Sequence, residues 1–260
     1  MSWQETQSDT FTARHDGRDE ADAGQVLRQL EGARIRLERL FAARVGPLDV
    51  VLHSSPRQLD AAEPWLLVQR RLTAPAGRRY LVGWAGEHEL HVLAPRLLAG
   101  RASNVEGSLE FLMLAPSALF ARRVVAENNP GLPPPFGMRA FARYLRWAWL
   151  VEGAAQFFSG QHRHVRPAVA VRMREGGEPS FPPGRRDAPL LGGTLFDLLA
   201  REEGDQACVK LAMAPLSDGP QAALEGVFHG RAMRHTAEAW RAFLRRTARE
   251  PARTEPRRPR

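Results

Sequence analysis

Hydrophobic residues in the first half of the chain recur with two different spacings. From Val26 to Phe41 they are three or four positions apart, with Arg and Glu on the other face, which predicts an amphipathic helix. Short apolar runs follow at 48–53 (LDVVLH), 80–84 (YLVGW) and 89–94 (ELHVLA), separated by segments that contain Pro or Gly, and such runs are typical of β-strands. The first half is therefore predicted to form one helix and a small sheet.

The second half of the chain has the spacing of helices. The predicted helices are 108–126, 138–159, 194–203, 206–213 and 219–246, the last in two pieces. The run 165–173 alternates weakly and is interpreted as a possible strand, while 174–186 is too rich in Gly and Pro for anything but a surface loop. Strands that precede helices in this way favour an α+β domain.

Composition sets the expected boundaries of that domain. The chain has 260 residues, of which 43% are hydrophobic, and this length is sufficient for one substantial core. Residues 1–22 hold two Arg against six Asp and Glu and are predicted to be an acidic, disordered tail. Residues 247–260 are rich in Arg and Pro and are predicted to be a second disordered tail. The folded domain is thus expected to span 23–246.

The formal net charge of +8 is unevenly distributed. Residues 241–260 hold eight Arg against two Glu, whereas residues 1–22 are acidic, so the body of the chain is only mildly basic. We interpret the Arg-rich end as a solvated segment, and a contact with nucleic acid or an anionic membrane remains an alternative.

The sequence also indicates a compartment. No run approaches the roughly 18–20 apolar residues that span a bilayer, and the polar, acidic start does not have the pattern of a signal peptide. One cysteine, Cys208, excludes an intrachain disulfide and lies in a helical, apolar context that predicts a core residue rather than a nucleophile. A cytoplasmic protein is expected.

Several segments, taken in order, carry a resemblance to a known family. WAWLVEGAAQFFSG (147–160) is similar to a W-L-x-E-G-x-A helix, and 190–211 and 222–244 are similar to the segments that follow that helix. The runs around 48–55 and 80–95 match the strands that lead into it. Over about residues 25–246 the chain resembles the gluzincin, or peptidase MA-like, zinc metallopeptidases. The resemblance implies a zincin-like fold, with a small N-terminal sheet followed by a mainly helical half.

The zinc-binding motif of that family, HExxH, is missing from the chain. The best register places Ala115, Pro116 and Leu119 where the motif has His, Glu and His, and no histidine occurs between 108 and 130. Zinc, which the resemblance would imply, is therefore not expected, and no residue is assigned a catalytic, cofactor-binding or metal-binding role. Pro116 further predicts that the helix begins or kinks there.

Glu152 occupies the position of the third zinc ligand. One carboxylate without two imidazoles does not hold zinc usefully, so a structural role is expected for it. Helical spacing places it on the same face as Leu145, Trp149 and Gln156, which predicts partial burial and therefore a hydrogen-bond or Arg partner.

Histidines offer the other candidate chemistry. His88 and His91 lie three apart in a β-like run, so their rings are predicted to point to opposite faces. His162 and His164 would share a face if they lay in a strand, so a weak surface metal site is one alternative. Plain solvated side chains are favoured, because no nearby carboxylate or thiolate completes a ligand set. For His229 and His235 the sequence predicts structural or solvated roles. The Trp147 and Trp149 pair, beside Tyr144 and Arg146, is interpreted as core rather than as a platform for stacking bases.

Three functional hypotheses follow from the sequence. The first is a pseudo-peptidase whose cleft binds a peptide or a partner protein without cutting it. The second is an active hydrolase with relocated catalytic residues, built on Glu152 and a histidine that folding brings close. The third is an interaction module that works through its basic tail.

Overall fold

A mixed five-stranded sheet forms one layer of the protein, whose computed structural model describes residues 3–132 and 137–249. The strands are β1 (Trp3–Gln7), β2 (Phe11–Asp16), β3 (Leu48–His53), β4 (Gly83–Ala85) and β5 (Glu89–Leu93). Their order in the sheet is β1-β2-β3-β5-β4. The three central strands β2, β3 and β5 are parallel, and an antiparallel strand flanks them on each side.

Helices make up most of the remaining structure. They are α1 (Glu20–Leu37), α2 (Pro56–Ala62), α3 (Pro64–Leu72), α4 (Pro75–Arg78), α5 (Ser108–Met113), α6 (Ala115–Asn128), α7 (Met138–Arg146), α8 (Ala148–Ser159), α9 (Arg166–Arg174), α10 (Ala188–Glu203), α11 (Asp205–Ala212), α12 (Gly219–Val227) and α13 (Met233–Arg249). One hydrophobic core runs from Phe11 to Leu244. The predicted α+β class is confirmed. In the described ranges, no helix combines the length and the apolar character that crossing a bilayer requires.

The two ends of the chain correct the predicted boundaries. The prediction of a disordered tail over 1–22 is wrong for residues 3–22, because they form β1, β2 and the start of α1. Burial alternates along β2, where Phe11, Ala13 and His15 point inward. The prediction relied on the acidic composition of the segment and overlooked this strand-like alternation. At the other end, α13 continues to Arg249, and the prediction for 250–260 lies outside the described residues.

Several predicted helices are divided or extended in the structure. The predicted helix 108–126 is split into α5 and α6, and Pro116 lies in the first turn of α6, where its missing N–H costs no hydrogen bond. The expectation that a helix begins or kinks at Pro116 is confirmed. The predicted helix 138–159 is broken at Trp147 into α7 and α8.

The run 165–173 is a helix and not a strand. Val165, Ala168, Val169 and Arg172 are buried at intervals of three and four residues, which is the spacing of α9. The loop predicted over 174–186 begins directly after this helix and has no regular structure. Arg172 closes the loop by pairing with Asp187 at 2.6 Å.

Helices α8 and α10 pack closely because two glycines face each other. A Cβ atom added to Gly153 would lie 2.7 Å from the carbonyl oxygen of Gly192, and one added to Gly192 would lie 2.7 Å from the backbone nitrogen of Gly153. Any side chain at either position would push the helices apart. This close contact fixes the position of α8 relative to α10.

Candidate functional site

Glu152 lies at the centre of a buried polar cluster. Its side chain is on α8 and the residue is only 5% exposed. Nη2 of Arg122 donates to both carboxylate oxygens, at 2.8 Å to Oε1 and 2.7 Å to Oε2. Tyr144 donates its hydroxyl proton to Oε1, and Nε2 of Gln69 donates to the same oxygen from 3.1 Å. The expectation that Glu152 is buried with an Arg partner is confirmed.

Helical spacing explains why Arg122 reaches this carboxylate. Arg122 comes three residues after Leu119 and seven after Ala115, so all three side chains lie on one side of α6. That side faces α8, where Glu152 lies in the second turn. Tyr144 comes from the last turn of α7, which is folded back by the break at Trp147, and Gln69 comes from α3.

The charges in this cluster are balanced by one ion pair. Burial, and secondarily the nearby charge of Glu152, raises the pKa of Tyr144 well above its ordinary value, so the hydroxyl remains a donor. The Arg122 guanidinium carbon lies 5.9 Å from the centre of the Tyr144 ring. Nε and Nη1 of Arg122 and Oε1 of Gln69 are buried without a hydrogen-bond partner among the described residues.

A cavity of about 40 Å³ adjoins the ion pair. Its walls come from β4 and the segment that leads into it, from α5, α6 and α8, from the start of α10, and from Gln161. The lining residues are Tyr80, Leu81, Val82, Gly83, Phe111, Ala115, Ala118, Leu119, Arg122, Glu152, Ala155, Gln156, Gln161 and Pro189. The cavity therefore combines an apolar wall with one charged pair.

The residues that the suggested resemblance places in a zinc site meet at this cavity. Ala115, Leu119 and Glu152 all line it, and Pro116 is buried beside them in the first turn of α6. Glu152 is the only one of the four with a metal-binding group, and Arg122 already engages both of its oxygens. Within the described part of the chain, no group of three or more His, Cys, Asp or Glu side chains is placed to hold a metal ion. The residues at this site do not fit zinc.

A second cluster of titratable groups lies on the sheet and was not found from the sequence. The rings of His53 and His91 stack with centres 5.3 Å apart, and Nε2 of His53 lies 3.0 Å from Nδ1 of His91. Nε2 of His91 lies 3.2 Å from Glu63 and 3.1 Å from Glu89. Glu89 in turn pairs with Arg14 on β2.

Burial sets the protonation of this second cluster. It lowers the pKa of His53 to about 4 and also lowers that of His91. It raises the pKa of Glu63 to about 7, with the negative charge of Glu89 adding to the effect. Only the parallel register of β3 against β5 brings His53 and His91 together, and that register cannot be read from either segment alone.

The remaining histidines lie apart from both clusters. His88 is exposed in the turn between β4 and β5, whereas His91 is partly buried on β5. His162 and His164 lie in a 3-10 turn, so the strand on which the alternative of a surface metal site depended is not formed. His162 stacks on Phe157, and burial lowers its pKa.

Two surface histidines and three core side chains complete the predicted set. His229 pairs with Glu203 at 3.0 Å, and Nε2 of His235 accepts a hydrogen bond from Arg234. Burial raises the pKa of Cys208 to about 12, and its thiol donates to the carbonyl of Phe196, as expected of a core residue. Trp147 and Trp149 are both buried, with ring centres 6.2 Å apart, which confirms that they are core residues rather than an exposed platform.

A comparison of the sequence with models of known protein families gave no match, and a comparison with curated proteins gave none either.

Proposed function

We propose that this protein is a pseudo-peptidase: a gluzincin-like scaffold that binds a peptide or a partner protein and does not cleave it. The observation that carries the proposal is the ion pair between Arg122 and Glu152. In a gluzincin the carboxylate at this position would bind the metal. Here an arginine of the chain itself supplies the positive charge, from the helix that would carry the zinc motif.

Loss of the metal removes the means of activating water. A zinc ion lowers the pKa of its bound water to about 7, and a neighbouring carboxylate then accepts the proton. A guanidinium has no site for a bound hydroxide and does not release a proton at neutral pH. Glu152 is moreover held by three donors, none of which accepts a proton from water.

The cavity also borders the sheet. In the described sheet β4 pairs with β5 alone, but all three of its residues are buried, so this edge is covered. The segment that leads into β4 lines the cavity together with Gly83. A peptide group that enters the cavity would therefore lie beside Gly83 and Arg122.

A relocated hydrolase is less well supported. Its premise was a histidine close to Glu152, and the hydrogen-bond partners of Glu152 among the described residues are Arg122, Tyr144 and Gln69. The third hypothesis concerns a basic tail that lies mostly outside the described ranges.

The first test measures zinc and cleavage together. We expect the purified, untagged protein to carry far less than one equivalent of zinc by elemental mass spectrometry, and to retain members of a mixed peptide library that are recovered uncut. Near-stoichiometric zinc would overturn the proposal. Cut peptides would overturn it too.

A gain-of-metal experiment tests the scaffold itself. Ala115→His, Pro116→Glu and Leu119→His together restore the missing motif, and we expect them to bind zinc when combined with Arg122→Leu. The triple variant that retains Arg122 is the matched control and should bind zinc at least tenfold more weakly, because the guanidinium occupies Glu152. A folded quadruple variant with no zinc affinity would argue against the gluzincin-like geometry.

A further inference from the structure

Arg122 has unused hydrogen-bonding capacity. A guanidinium carries five N–H groups, and only Nη2 is engaged here, with both of its bonds going to Glu152. Nε and Nη1, which carry the other three, have no partner among the described residues, although Arg122 is only 9% exposed. Buried donors nearly always have an acceptor, so these N–H groups are suited to bind an acceptor oxygen from outside the described residues.

The cavity beside Arg122 has room for a small group that carries such an oxygen. Its volume is about 40 Å³, whereas a cavity of roughly 150 Å³ holds benzene. Ala118, Leu119 and Phe111 line the same cavity with apolar side chains. A carbonyl with a methyl-sized substituent matches both the size and the mixed polarity of this space.

The charge of the site decides between a neutral and an anionic ligand. Arg122 and Glu152 together are neutral, and Glu152 also lines the cavity. A ligand carboxylate would place a second negative charge beside Glu152 in a poorly solvated space, which is unfavourable. A neutral carbonyl oxygen accepts from the guanidinium without that repulsion.

We propose that Arg122 donates to the carbonyl oxygen of a neutral amide, and that the bound group is a peptide unit with a side chain no larger than that of alanine. This assignment rests on the proposed function and adds to it the chemical class of the group that is recognised. Selection for glycine or alanine at one ligand position then follows from the cavity volume.

Two isosteric probes, acetamide and acetate, test the assignment. They are titrated into the ¹⁵N-labelled full-length protein, and the amide signals of Gly83 and Ala118 are followed by NMR. We expect saturable shifts with acetamide in the millimolar range and at least tenfold weaker binding of acetate. Ala118→Val narrows the cavity and should weaken acetamide binding at least tenfold. Ala126→Val, further along the same helix and outside the cavity, should leave it unchanged.

Three results would overturn the assignment. They are no saturable acetamide shift in the wild type, equal acetamide affinity in the wild type and Ala118→Val, and acetate binding as tightly as acetamide. If Ala118→Val does not fold, Ala155→Val narrows the same cavity from α8 and replaces it. Acetamide binding by a protein that retains no library peptide would contradict the proposed function and the peptide part of this assignment, and would leave only the preference of Arg122 for a neutral amide. Retained peptides without acetamide binding would leave the proposed function standing and contradict this assignment.

Discussion

Arg122 and Glu152 form a buried ion pair, and removing only one partner of such a pair is costly. Removing both charges from a protein interior is often nearly neutral, whereas removing one leaves the other buried without a partner. Tyr144 and Gln69 add hydrogen bonds to Glu152 but bring no compensating charge. The pair is therefore expected to contribute little net stability, although the loss of one partner is costly.

We expect Arg122→Met to lower the free energy of unfolding by about 3–5 kcal/mol, because Glu152 is left charged and buried. The double variant Arg122→Met/Glu152→Gln should recover most of this loss, since the amide remains hydrogen-bonded to Tyr144. Urea denaturation of the wild type, both single variants and the double variant measures the coupling. Additive effects of the two substitutions would contradict the pairing.

The raised pKa of Glu63 predicts the direction in which stability changes with pH. Its pKa in the folded protein is about 7, above the ordinary 4.5, so the folded state favours the protonated form. The stability associated with that proton is present in full below pH 4.5 and is lost as the pH rises through 7. Replacing the Glu63 carboxylate by a neutral group should therefore raise the free energy of unfolding most at high pH.

Glu63→Gln should accordingly gain stability relative to the wild type between pH 5 and pH 8, by on the order of 2 kcal/mol. Denaturant midpoints at several pH values measure the difference. Glu87→Gln, an exposed carboxylate in the turn beside His88, is the matched control. A difference between Glu63→Gln and the wild type that does not change with pH would contradict the buried, protonated state of Glu63.

At the scale of elements, patterns within one segment predicted the helices and strands, whereas contacts between distant segments could not be predicted. Helical spacing located most of the helices, and LDVVLH and ELHVLA are strands, because both kinds of pattern are contained within one segment. The burial of Glu152 was predictable in the same way. That Arg122 is its partner, or that His53 meets His91, depends on how distant segments pack, and one sequence holds no local signal for it.

The glycine contact between α8 and α10 is testable at this scale. Gly153→Ala and Gly192→Ala should each lower stability by about 2–3 kcal/mol, because the new methyl group meets backbone atoms of the other helix. Gly226→Ala in α12, where an added Cβ meets nothing within 4 Å, should instead gain up to about 1 kcal/mol. Thermal unfolding monitored by circular dichroism compares the three variants, and equal effects would contradict the close packing.

At the scale of the whole molecule, the first strands belong to the core. β2 lies between β1 and β3, and Phe11 packs edge-on against Phe120 of α6, with ring centres 5.3 Å apart. The segment that composition assigned to a disordered tail thus supports the helix that carries Arg122.

Phe11→Ala should therefore cost about 3–5 kcal/mol, the range for truncating a buried phenylalanine. Trp3→Ala, on the outer strand β1 where the side chain is 59% exposed, should change stability by about 0.5 kcal/mol or less. Chemical denaturation distinguishes the two outcomes. Similar losses for both variants would show that the outer strand carries more of the fold than its exposure suggests.

Under the proposed function, the guanidinium at Glu152 also bears on how the protein matures. A metal centre is completed only after synthesis, when the chain acquires an ion from a limited cellular supply. The positive charge of Arg122 is translated with the polypeptide and is in place as soon as α6 and α8 come together. The proposal therefore predicts that this ion pair assembles independently of metal starvation and of chelators.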